Sequence, residues 1–203
     1  MKGLDYKEYL STMLNSAIYK DAVKRFAIRF PKQIENMAAH FLSSAGGEFS
    51  FNSIAKAAGL GSVHTAEKYL SCLEETFLFF TLMRFSFKAK ERASPNKKIY
   101  CIDNGFLGFC SFSMSPNYGM LLENAAAVAL KKSEIEGKFS LYFWRNQQGE
   151  EVDFVIKKGT RITELIQLCF EISNPKTKER ETRALLKASK ELKCNNLTVL
   201  TYD

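Results

Sequence analysis

Two histidines, His40 and His64, stand far apart in this chain of 203 residues, so neither a histidine-rich metal site nor a Ser-His-Asp triad has much to build on. The five cysteines, at positions 72, 101, 110, 169 and 194, are odd in number and include no CxxC. A disulfide framework and a zinc ribbon are therefore not expected, and the thiols read as reduced. No apolar run approaches the roughly 20 residues that span a bilayer, and the opening MKGLDYKEYL lacks the apolar core of a secretory signal. A soluble cytoplasmic protein with no membrane contact is the expectation. Neither GxxxxGKS nor GxxxxGKT occurs, and Gly59-Leu60-Gly61 reads as a turn, so a P-loop phosphate cradle is excluded.

What is present is globular in composition, with 46% hydrophobic and 25% charged residues, and the length suits one or two modest domains. Lysine and arginine exceed aspartate and glutamate by 29 to 22, a net of +7, which favours an anionic partner such as nucleic acid. By sequence halves the excess is N-terminal, with 15 basic and 10 acidic groups in 1–103 against 14 and 12 in 104–203.

Apolar residues at helical spacing predict a helix over 5–29, ended by Pro31, and a second over about 33–44 closed by Gly46-Gly47. A short helix bearing Phe51, Ile54, Ala55 and Ala58 then stops at Gly59-Leu60-Gly61, and Ser62 caps the next. This is helix-turn-helix grammar. In the second helix Ala66, Leu70, Leu73 and Phe77 share a face, which directs His64, Thr65, Lys68 and Ser71 outward as the recognition set. Runs of strand character at 77–82 and 98–102 complete a two-stranded wing, whose flanks and tip carry Arg84, Lys88, Lys90, Arg92, Lys97 and Lys98 against the single acid Glu91. Duplex DNA held through its phosphates is the partner such a wing suits. Glu67, Glu74 and Glu75 load the same helix with negative charge, so a docking role toward protein stays open.

The second half reads as a helix over 120–132 with Leu121, Leu122, Ala125, Val128 and Ala129 inward, then strands at 139–145, 150–157 and 162–172. An amphipathic helix over 176–192, with Leu185, Leu186, Ala188 and Leu192 in the core, and a strand at 196–202 follow. That order predicts an α/β arrangement, α+β for the whole chain. Strand alternation puts Glu151 and Asp153 on one face and Val152, Phe154 and Ile156 on the other. Neighbouring elements gather Glu123, Asp153 and Gln167, oxygen groups of the kind a hard divalent ion uses; a solvated acidic rim is the alternative.

The chain resembles the C-terminal region of archaeal and bacterial P-loop (AAA-type) ATPases, in which a winged helix precedes a restriction-endonuclease-like domain. The likeness lies in Leu70-Ser71-Cys72-Leu73-Glu74-Glu75-Thr76-Phe77, Lys98-Ile99-Tyr100-Cys101-Ile102-Asp103-Asn104-Gly105, Leu122-Glu123-Asn124, Tyr142-Phe143-Trp144-Arg145 and Glu150-Glu151-Val152-Asp153-Phe154-Val155. The resemblance implies an N-terminal helix over 1–32, a winged helix over 33–103 and a nuclease-like domain over 104–203. It also implies an ATPase or other protein partner. The nuclease pattern of a helical Glu, a strand Asp and a Glu-x-Lys falls on Glu123, Asp153 and Gln167-Leu168-Cys169, so the first two groups match and the third departs. Gln167 is a weaker ligand than a carboxylate, and Cys169 supplies no ammonium to steady developing charge. The expectation is a binding module with an eroded active site that requires no cofactor. Its rivals are a nuclease that uses Mg2+ or Mn2+ through Glu123, Asp153 and Gln167, and a docking module without DNA contact.

Overall fold

The computed structural model describes residues 6–87, 96–110 and 117–202. Helix α1 (Tyr6–Asn15) runs on through a π-helical stretch, Ser16–Lys24. The expected long first helix stops there because Ala27 takes a left-handed backbone at φ 49°. Pro31 does not merely end that helix; it opens α2 (Pro31–Ser43), where its missing N–H costs nothing. α2 buries Ile34, Met37, Ala38, Phe41 and Leu42. Strand β1 (Glu48–Phe49), α3 (Phe51–Ala57) and α4 (Val63–Glu75) follow, then β2 (Phe79–Met83) and β3 (Lys97–Cys101), in a sheet of order β1-β3-β2. This is the arrangement of a winged helix, with one short strand beyond the two expected. Phe41 anchors the core, its ring 5.0 Å from Phe49 and 5.6 Å from Phe79. A short helix that the sequence reading did not foresee, α5 (Asn104–Cys110), comes next.

The second sheet, of order β4-β5-β6-β7, contains β4 (Ser140–Arg145), β5 (Glu151–Lys158), β6 (Arg161–Cys169) and β7 (Leu197–Thr201). Helix α6 (Tyr118–Ile135) precedes it, and α7 (Pro175–Leu192) joins β6 to β7. β4, β5 and β6 are antiparallel neighbours, whereas β7 pairs parallel to β6, as a helical crossover requires. The chain is thus mixed α/β, a helical winged-helix region followed by a small mixed sheet.

Two compact units emerge, residues 1–81 with 95–116, and residues 82–94 with 117–203. Arg84 bridges Phe143 within the second unit, and the Phe85 N–H donates to the Phe143 carbonyl at 2.7 Å. This division moves the charge. Among the described residues the second unit holds 15 basic and 11 acidic side chains and the first 10 and 8, so the larger positive excess lies in the sheet unit, which the sequence halves did not suggest.

Several packing expectations change. Phe77 does not share the buried face of α4: it lies past the helix end at φ 58° and is 80% exposed, while Tyr69 and Cys72 are buried in its stead. On α6 the buried residues are Asn124 and Ala127, with Ala125 and Ala129 exposed, so the inward stripe is rotated from the expected one. Leu186 of α7 is half exposed rather than core. Strand β5 breaks its own alternation: β4 register runs Tyr142↔Val155 and Trp144↔Val152, which leaves Asp153 and Phe154 opposite one residue, a β-bulge. Val152 and Val155 accordingly share one cluster with Trp144, Leu165, Leu185, Ala188 and Leu192, and the expected face of Val152, Phe154 and Ile156 is divided.

Candidate nucleic-acid interface and nuclease-like site

In the winged helix, the turn that presents α4 is fixed from both sides. Ser62 caps α4 by accepting from the Thr65 N–H at 3.1 Å, and the Gln33 side-chain amide of α2 donates to the Gly59 carbonyl at 2.8 Å. Gly59 sits at φ 67°, where a residue with a Cβ would be strained. The outer face then carries His64, Lys68 and Ser71, all exposed. Thr65 is only partly exposed, and its hydroxyl lies 2.9 Å from the Ser62 hydroxyl, so it belongs to the cap as much as to the surface. His64 Nδ1 stands 3.9 Å from Glu67 Oε2.

The wing divides. Lys97 places its ammonium 5.6 Å from the Phe51 ring centre and stays partly exposed. Lys98, expected to reach phosphate, is 2% exposed on the central strand of the sheet, in register with Glu48. A group so buried makes no surface contact, which corrects that expectation. Lys88, Lys90 and Arg92 lie outside the described residues.

In the sheet unit, α7 covers one face of β5 and β6 through an apolar stripe of Ala184, Leu185, Ala188 and Leu192, and one acid, Glu181, stands at helical spacing with them, all five buried. Gln167 of β6 accepts the Asp153 N–H through Oε1 at 3.3 Å and donates from Nε2 to Glu181 Oε2 at 2.8 Å. A flipped amide would set nitrogen against N–H and oxygen against carboxylate, so the amide has one sensible orientation. Asp153 Oδ2 accepts the Leu168 N–H at 2.9 Å, and Glu181 Oε1 accepts from Arg180 Nε at 2.9 Å, an ion pair that raises the arginine's pKa. Asp153 and Gln167 are therefore brought together. Glu123 lies half-buried on α6, and among the described residues no three His, Cys, Asp or Glu side chains converge as a metal site. Cys169 is 7% exposed and its thiol donates to the Glu171 carbonyl. Lys157, on the neighbouring strand β5, donates to the Gly159 carbonyl in its own hairpin at 2.6 Å.

A cleft of about 420 Å3 opens beside this cluster, lined by Arg145, Gln148, Glu151, Gln167, Arg180 and Arg183 among others. At its rim Glu150 accepts from Lys187 Nζ at 2.7 and 2.8 Å and from Arg183 Nε at 2.9 Å. Its pKa is lowered chiefly by the Lys187 hydrogen bond, then by Asn146 and Arg183. Sequence reasoning missed Glu181 and the Glu150 pairing. An acid at a core position of an amphipathic helix was the one available signal.

Fold and site together define a winged helix followed by a small mixed sheet in which Gln167 holds the Asp153 backbone on one side and Glu181 of α7 on the other. The chain belongs to the family described as a domain of unknown function, DUF8612, which matches residues 3–115, and a second domain of unknown function, DUF4143, matches residues 118–202. An uncharacterized protein of Methanocaldococcus jannaschii is 33% identical over 97% of this chain and 44% of its own length. An uncharacterized protein of Haemophilus influenzae is 31% identical over 55% of this chain and 26% of its own. The chain thus spans less than half the length of these relatives. Among solved structures, a mutant of S. aureus MepR matches 69% of this chain and 85% of its own, at 16% identity and a TM-score of 0.28. No described helix is long and apolar enough to cross a membrane.

Proposed function

We propose that this chain is a nucleic-acid- or partner-binding accessory module, acting beside an ATPase domain, whose nuclease-like sheet is a scaffold and not a catalyst. The observation that carries the binding half is the outer face of α4. Its cap and turn are held by Ser62 and Gln33, and it shows His64, Lys68 and Ser71 to solvent. Glu67 on the same helix weakens base reading by charge, so phosphate contact by Lys68, Lys97 and the remaining wing cations dominates. With three to four phosphates neutralised, affinity for a duplex falls roughly 40- to 150-fold between about 50 and 200 mM salt, with weak sequence preference. A mobility-shift titration across that range tests this; a retained complex that ignores salt, or no complex at all, defeats the DNA reading and leaves protein docking.

Absence of catalysis is supported by the way Gln167 is used. Its oxygen accepts from the backbone and its nitrogen donates to Glu181, while the position that would hold a lysine bears the buried thiol of Cys169. The rival reading, hydrolysis with Mg2+ or Mn2+ through Glu123, Asp153 and Gln167, is tested by incubating plasmid and single-stranded DNA with either metal beside Asp153→Ala. Metal-dependent cleavage that the substitution removes establishes the nuclease instead.

A further inference from the structure

The sheet unit carries a feature that neither the winged helix nor the motif cluster uses. Tyr118 opens α6, Phe170 follows β6 and Tyr202 follows β7, so three rings from three elements meet where the two parallel strands end. Phe170 stands between the tyrosines, 5.2 Å from Tyr118 with the ring planes 15° apart and 5.1 Å from Tyr202 at 17°. Most other aromatic pairs among the described residues are tilted or edge-on, at 57–89°. The other stacked pair, Phe80 and Tyr100, has Tyr100 fully buried. Here the outermost rings face water, Tyr118 54% and Tyr202 74% exposed.

We infer that this column is a stacking platform for unpaired nucleobases, so that the sheet unit holds single-stranded nucleic acid at the C-terminal ends of β6 and β7. A near-parallel column ends in flat π surfaces, and a planar base extends it at the same spacing whatever its sequence. The charge of the unit agrees: its described residues include 15 basic and 11 acidic, against 10 and 8 in the other unit, and a single strand brings phosphates with its bases. An aromatic side chain of a protein partner is the competing occupant, but it gives that excess no role.

The test uses the full chain and a thymine-rich oligodeoxynucleotide carrying one 2-aminopurine, whose fluorescence is quenched when the base stacks. Wild-type protein quenches the probe. Tyr118→Ala and Tyr202→Ala each weaken single-strand affinity about 5- to 150-fold, the range one base–aromatic stack is worth, while Tyr118→Phe and Tyr202→Phe keep both affinity and quenching. Both tyrosines are exposed, so equal melting curves verify that the variants fold. A duplex probe reads the α4 face independently: its retention is unchanged in all four variants, and its failure in wild type bears on the winged helix alone. Absence of quenching by wild type, or alanine variants that bind the oligonucleotide as wild type does, overturns the inference.

Discussion

The Gln167–Glu181 hydrogen bond ties β6 to α7, and its removal makes a measurable prediction. Both residues are buried, at 5% and 8% exposure, and the bond is 2.8 Å long. In Glu181→Ala a buried amide loses its acceptor, worth about 1–3 kcal/mol. The Arg180 pair adds little, because the arginine side chain is 67% exposed and screened. A loss of about 2 kcal/mol follows. Gln167→Ala costs about 2–4 kcal/mol, because it removes the donor to Glu181 Oε2 and also withdraws the acceptor of the Asp153 N–H. In the double variant neither member of the Gln167–Glu181 pair is left facing a missing partner, and only the Asp153 N–H cost persists, so the penalties fall short of their sum by about 1–2 kcal/mol. Glu181→Gln keeps an acceptor in place and costs less than Glu181→Ala. Urea unfolding followed by Trp144 fluorescence is the assay, since the chain's single tryptophan packs beside Leu185, Ala188 and Leu192 of α7. With a slope of about 1–1.5 kcal/mol per molar urea for a unit of this size, the Glu181→Ala midpoint falls by roughly 1.3–2 M. Additive single effects, within about 0.3 kcal/mol, refute the bond as described.

Glu150 has a depressed folded pKa, so the stability it contributes is present above its ordinary value near 4.5 and is lost as pH falls through the lowered one. Lys187→Met should therefore flatten the acid limb of a stability-against-pH curve below about pH 5, and an unchanged limb counts against the pairing. Phe77 holds a left-handed backbone while its ring is 80% exposed, so Phe77→Gly should raise stability by about 0.5–1 kcal/mol. A lower melting temperature would show that the ring has a packing role. Lys98→Ala should lower the melting temperature of the winged helix without changing duplex affinity of the folded protein, whereas Lys97→Ala should weaken binding and reduce the salt slope by about one. The reverse pattern would return Lys98 to the surface.

Sequence alone determined the grammar of both halves. Ser62 as a cap, Gly59 in the turn and the apolar spacing of α4 are local facts, and each is in place because caps and turns need only neighbouring atoms. The strands of the second sheet were likewise legible from their apolar and β-branched runs, and the order helix, three strands, helix, strand left few ways to pair them. Positions set by long-range packing were not legible. Periodicity carried Phe77 onto the buried face because the pattern does not reveal where a helix stops. Lys98 reads as a wing cation until a third strand, β1, pairs with β3 and buries it. The bulge at Asp153 and Phe154 appears only in the pairing of β4 with β5, and it redirects every residue after it. Glu181, 14 residues from Gln167 and on another element, becomes part of the site only once α7 lies on the sheet. Local chemistry was written in the sequence, and the meeting of distant side chains was decided by the tertiary fold, because burial and register depend on contacts that no short stretch of chain contains.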